Sequence, residues 1–124
     1  MNKKNKTLKE IFVTALENYK KKNYKNAEIC CYKILSIDPN HFDSMSMLAT
    51  LAAINGNFDK AVELLSKAIE IEPKNTVAIN NLGTAHQKLG QLKEAVNYYQ
   101  KVLQINPKHT NANYNLGIVF YKLN

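Results

Sequence analysis

The 124-residue chain has no arginine and no tryptophan, and only two cysteines, three prolines and four glycines. Each shortage excludes something. Without Arg there is no planar fork to grip a phosphate or a base edge at two points, so nucleic acid is disfavoured as a partner although the net charge is +7. The two cysteines, Cys30 and Cys31, are neighbours inside a helical pattern, where the backbone cannot easily close a bridge between them. Buried or half-buried thiols are expected there rather than a redox pair, and with them a cytoplasmic setting. No run approaches the eighteen or so uncharged apolar residues of a membrane span, so no transmembrane segment is expected. The basic opening MNKKNKT leads into an amphipathic pattern broken by charges, not into the apolar stretch of a signal peptide. Acids are scarce towards the end of the chain: residues 76–124 hold five Lys and one Glu, and residues 1–33 hold nine Lys and three acids. The positive charge therefore sits at the two ends. The cluster Lys20, Lys21, Lys22 and Lys25 is read as a solvated turn. Its alternative is a weak polyanion or membrane-surface patch, whose binding falls steeply with salt.

What is present is apolar and periodic. At 45% hydrophobic residues the chain is one domain's worth of material and too apolar to stay disordered. Pro39, Pro73 and Pro107 stand thirty-four residues apart, and other residues follow the same interval. With each proline set at position 32, the repeats run over 8–41, 42–75 and 76–109, with a partial repeat over 110–124 and a basic, flexible N-terminus over 1–7. Position 20 is then Ala27, Ala61 and Ala95. Position 8 is Ala15, Ala49, Gly83 and Gly117, and position 24, where bulk is wanted, holds Cys31, Leu65 and Tyr99.

Each repeat carries two apolar stripes at helical spacing, such as Met45, Leu48, Ala49 and Ala52, then Ala61, Leu64, Leu65, Ala68 and Ile69. Two helices per repeat follow, at about 8–21, 25–37, 42–54, 58–71, 76–88, 92–105 and 110–122. Small residues at positions 8 and 20 allow the paired helices to approach closely. Gly56 and Gly90 suit the end of a first helix, and the prolines cannot continue a second.

Period, small residues and breakers together resemble the tetratricopeptide repeat from Leu8 to Asn124. The departures are Thr14 at position 7, Lys22 where Gly is usual, and the missing Trp. The resemblance implies an all-α solenoid of antiparallel helix pairs, about three and a half repeats and seven helices wound into a right-handed superhelix. It also implies that positions 2, 5, 6, 9, 12 and 13 of each first helix line a concave groove. The candidate groove residues are Phe12 and Tyr19, then Met47 and Thr50, then Asn80, Asn81, Thr84, Gln87 and Lys88. The partial repeat adds Asn111, Tyr114, Asn115 and Tyr121. Asn81 and Asn115 share position 6, where repeats similar to those of O-linked N-acetylglucosamine transferase carry an asparagine ladder. A side-chain amide both donates and accepts, so it can pair with the backbone of an extended peptide whatever the peptide's side chains. Solvated residues in a chain with seventeen Asn are the competing reading.

A second use of the family is a clamp of Lys, Arg and Asn on the acidic C-terminus of heat-shock chaperones. The matching positions are Phe12, Leu16, Met47, Val77 and Asn81, or, one repeat later, Ser46, Thr50, Asn81, Asn111 and Asn115. Neither set holds a Lys, so no clamp is expected.

No catalytic set stands out. His41 and His109 fall in the links between repeats, His86 is placed facing its own repeat's core, and no cysteine or acid repeats beside them at metal-ligand spacing. No enzyme activity, cofactor or metal is expected. The partial repeat leaves Leu116, Val119, Phe120 and Leu123 without a second helix to cover all of them. Two continuations suit this: a longer protein, for example an enzyme such as a glycosyltransferase with this segment as its substrate-recognition arm, or a homo-oligomer formed through the C-terminal helix. The leading expectation is a scaffold or adaptor module that binds a protein or an extended peptide.

Overall fold

The computed structural model describes residues 3–124, with side chains from Thr7 onward. Seven helices follow one another: α1 Lys3–Lys20, α2 Tyr24–Ile37, α3 Phe42–Ile54, α4 Phe58–Ile71, α5 Thr76–Lys88, α6 Leu92–Ile105 and α7 Thr110–Leu123. Among the described residues there is no strand. Expected and observed bounds agree to within a residue except at the first start, where α1 begins at Lys3 instead of Leu8. Residues 3–7 carry no apolar pattern to reveal this turn, but a nucleated helix propagates through Lys at little cost. Of the segment expected to be flexible, Met1 and Asn2 lie outside the described residues.

The thirty-four-residue period produces the same local devices in each repeat. The turn inside a repeat needs a left-handed residue, supplied by Gly56 at φ +75° and Gly90 at φ +77°. In the first repeat Lys22 takes the same conformation at φ +64°, where its Cβ crowds the backbone. After each second helix the chain passes Pro39, Pro73 or Pro107 and restarts on a side-chain cap. His41 Nδ1 accepts from the Ser44 amide, Asn75 Oδ1 from Ala78, and His109 Nδ1 from Ala112, at 3.0–3.2 Å. The linking histidines thus cap helices, a role that satisfies an otherwise unpaired first-turn N–H.

Helices pack in chain order. Paired contacts within a repeat (α1 with α2, α3 with α4, α5 with α6) alternate with contacts to the next repeat, and α5 also touches α7. One cluster of buried side chains holds Ala15, Ala27, Cys31, Leu48, Leu65 and Leu82 among others, and a second gathers Ile79, Ala95, Tyr99, Val102, Ala112 and Val119. Ile69 and Tyr98 pack against both and join them.

Inside each repeat, size at position 24 is matched by smallness at position 8. The matching is tightest in the third repeat, where Tyr99 is fully buried and a Cβ placed on Gly83 would stand 2.7 Å from its Cε1. Gly117, at the same place in α7, faces open space. Gly83→Ala should therefore lower stability by about 1–2 kcal/mol, the cost of overpacking less the gain in helix propensity. Gly117→Ala should leave stability unchanged or raise it by up to about 1 kcal/mol. Urea unfolding followed by circular dichroism checks both, and equal effects at the two sites would contradict the packing described.

Candidate functional site

The first helices of the repeats, α1, α3, α5 and α7, carry the candidate groove residues. Phe12 and Tyr19 are half-buried, each against another ring: Phe12 lies 5.6 Å from His41 and Tyr19 lies 5.7 Å from Tyr24. Asn81, Lys88, Asn111, Tyr114 and Tyr121 are exposed, and Asn115 is half-buried. Two candidates are not on the surface. Met47 is 8% exposed and packs into the first core cluster, because a flexible thioether fills the space between neighbouring helices. Asn80 is 7% exposed, and its Oδ1 has no hydrogen-bond partner within the protein. Ser46 Oγ, one repeat earlier, is likewise buried without a partner.

Two further candidates, Gln87 and Thr84, meet at one fully buried ring. The Tyr99 hydroxyl donates to Gln87 Oε1 at 2.7 Å and lies 3.2 Å from Thr84 Oγ1. Burial raises the Tyr99 hydroxyl above its ordinary pKa, with the Thr84 contact pulling the other way. Thr84 Oγ1 donates to the Asn80 carbonyl at 3.1 Å, and Thr50 Oγ1 repeats that bond to the Ser46 carbonyl at 3.0 Å. Gln87 and Thr84 are thereby held from below rather than left free to rotate.

Between these helices lies a pocket of about 170 Å³. Its walls are Ala49, Thr50 and Ala53 from α3 and Phe58, Ala61 and Leu65 from α4. Asn81, Thr84 and Ala85 close it from α5. Of these, Thr50, Ala53, Asn81 and Thr84 stand at positions expected to face a ligand. The other apolar walls were missed because alanines at positions 8 and 20 give the same sequence signal as ordinary close helix packing.

The remaining chemistry is quiet. Cys30 and Cys31 are free thiols; Cys31 is fully buried, and desolvation, with Cys30 and Glu28 beside it, pushes its pKa up to about 12. At neutral pH it is therefore a packed side chain and a poor nucleophile. His86 is half-buried beside the second helix of its own repeat. It stacks on Tyr98 at 5.3 Å, and its Nδ1 meets Gln91 Oε1 at 2.7 Å between α5 and α6. Among the described residues no three or more His, Cys, Asp or Glu side chains gather as a metal site, and no helix is long and apolar enough to cross a membrane.

Helix pairs stacked in register with a period of thirty-four residues define a helical-repeat solenoid. Four family patterns, described as tetratricopeptide or TPR repeats, match residues 14–41, 30–63, 53–90 and 77–109 in turn. The chain belongs to the tetratricopeptide-repeat family. No curated protein sequence matches it significantly. Among solved structures it is similar to the first TPR of Spaghetti (RPAP3) bound to the HSP90 peptide SRMEEVD, at 22% identity and a TM-score of 0.88 over 94% of this chain and 92% of that one. It is also similar to the O-GlcNAc transferase of Thermobaculum terrenum, at 23% identity and a TM-score of 0.86. That likeness covers 96% of this chain but only 23% of the transferase. A third is the Sgt2 TPR domain of Aspergillus fumigatus, with 22% identity, a TM-score of 0.84, and 94% and 79% of the two chains covered. At these identities the likeness is one of fold.

The clamp positions can now be placed on the surface. In the first set Phe12 is half-buried, Met47 is buried, Leu16 and Val77 are exposed apolar side chains, and Asn81 is the one polar group; in the second, Ser46, Thr50 and Asn115 are half-buried and Asn81 and Asn111 exposed, all polar and none charged. An acidic terminal carboxylate would lose its hydration at these positions without gaining a cation from them. The peptide SRMEEVD should accordingly give no saturable heat in titration calorimetry with this protein. Tight binding that disappears when the terminal carboxylate is amidated would refute this.

Proposed function

We propose that the protein is an interaction module that holds an extended peptide, or an extended segment of a partner protein, along the face formed by α1, α3, α5 and α7. The observation that carries this reading is where the apolar surface lies. Of twelve large apolar side chains exposed among the described residues, six (Val13, Leu16, Ile54, Val77, Tyr114 and Tyr121) stand at the positions of the first helices that the family resemblance implies face inward. Apolar side chains concentrated on one concave face, rather than scattered singly, mark a binding surface. Beside them the amides of Asn81, Asn111 and Asn115 can pair with peptide groups of any sequence. Similarity to a repeat domain bound to a chaperone peptide supports the class of ligand, while the missing clamp lysines favour a different sequence. Two free thiols support a reducing, cytoplasmic setting as part of the same reading.

Random heptapeptides selected by display against the whole chain test the proposal. They should converge on a motif whose affinity falls at least about tenfold in the Asn81→Ala, Asn115→Ala double variant, since each backbone hydrogen bond contributes about 0.5–1.5 kcal/mol. Circular dichroism confirms that the variant is folded. Selected peptides that bind wild type and variant equally would move recognition away from this face.

A second reading, self-association through α7, has an observation of its own. Phe120 and Leu123 are 43% and 44% exposed, and a Cβ on Gly117 would meet no atom within 4 Å. A second copy could lay a helix there, burying both side chains. Light scattering across a hundredfold concentration range should then show a dimer that Phe120→Ser abolishes, and a strictly monomeric wild-type chain would end this reading.

A further inference from the structure

We infer that the pocket between α3, α4 and α5 is an anchor site for one aromatic side chain, Phe or Tyr, of a bound extended peptide. The inference rests on reading the first helices as ligand-facing, and deepens it. Its support is internal, because each repeat is a structural copy of the next. In the third repeat the space above position 8 is filled by the chain's own ring: Tyr99 lies against Gly83, with its hydroxyl at Thr84 and Gln87. Thirty-four residues earlier the same places hold Leu65, Ala49, Thr50 and Ala53, and all four line the pocket. Leu65 stops at its branched methyls, where Tyr99 continues into a ring and a hydroxyl. Ala53 lacks the amide that Gln87 extends. What Tyr99 fills in one repeat therefore stays open in the other.

Size and chemistry agree with a ring as the occupant. A volume of about 170 Å³ is in the range that accepts benzene in an apolar protein cavity. The walls are alanines, Phe58 and Leu65, while the only polar groups come from Thr50, Asn81 and Thr84, and no charged residue lines the space. A Lys or Glu side chain entering it would surrender its hydration without finding a counter-charge. A phenyl ring would gain contact on several sides, and a phenol would meet Thr50 as Tyr99 meets Thr84. Asn81, exposed beside the pocket, is placed to hold the peptide groups flanking the inserted residue.

The test uses the N-acetyl amides of Phe, Tyr, Leu, Lys and Gly as probes, titrated into protein labelled with ¹³C at the Ala and Leu methyls. The Phe and Tyr probes should give saturable shifts confined to Ala49, Ala53, Ala61, Ala85 and Leu65, with affinities of about millimolar as expected of fragments. The Lys and Gly probes should give none. Ala49→Gly with Leu65→Tyr transplants the third repeat's own solution into the second, and Ala53→Met fills the space from α3 by a single change. Either filled variant that retains its helical circular dichroism should lose the response at least about tenfold. No saturable shift with the aromatic probes, or an undiminished shift in a filled variant, overturns the inference. Failure here is separable from failure of the binding-face reading. Display-selected peptides that bind a filled variant normally, yet weaken in the Asn81→Ala, Asn115→Ala variant, would refute the anchor and keep the face.

Discussion

Everything in this molecule depends on how closely the two helices of a repeat can approach. A single hairpin of two helices cannot cover its own apolar stripe, so its stability comes from packing against a partner and then against the next pair. The distance is set by three positions. Positions 8 and 20 must be small, and position 24 must fill what they leave: Ala15 and Ala27 with Cys31, Ala49 and Ala61 with Leu65, Gly83 and Ala95 with Tyr99. As the filler grows from thiol to ring, the opposing residue shrinks from alanine to glycine only in the third repeat. At the second repeat, where Leu65 stands with Ala49 and Ala61 and the next repeat's Tyr99 has no equivalent ring, a pocket remains.

The architecture was legible because a thirty-four-residue period constrains every repeat at once. Helices α2 to α7 lie within a residue of where apolar spacing and the breakers put them. The first turns of α1 were not legible, since helix can extend through Lys and Asn without any apolar pattern. Histidine as a helix cap was also missed: His41 and His109 look like linkers until their Nδ1 atoms are seen to accept first-turn amides, as Asn75 does between them. Of the candidate site, burial was not legible: Met47, at position 6 of the second repeat, and Asn80, at position 5 of the third, are covered by their neighbours. The pocket was illegible for a different reason. It arises from a difference between two repeats, and that difference acquires meaning only when the Tyr99 hydroxyl is seen reaching Thr84 and Gln87.

The face that results divides labour between rigid and open parts. Thr84 and Gln87 are fixed from beneath by a buried ring, whereas Asn81, Asn111 and Tyr114 stand free above it. Such an arrangement suits a ligand recognised through its backbone along most of its length and through one side chain at one depth. Fixed groups lose little entropy when a partner arrives, and amides tolerate many sequences. The fully buried thiol is held protonated, His41 and His109 cap helices, and His86 stacks on Tyr98.

The left-handed turn at Lys22 bears on how the array comes apart. Gly56 and Gly90 reach that conformation freely, but a lysine there is under backbone tension of about 1 kcal/mol. In a globular core such tension would be shared by the whole molecule. Here substantial contacts run only between adjacent repeats, so it is borne by the first hairpin alone. The molecule is therefore a zipper with one weakened end: α1 can peel from α2 while the second and third repeats, with the pocket between them, remain closed.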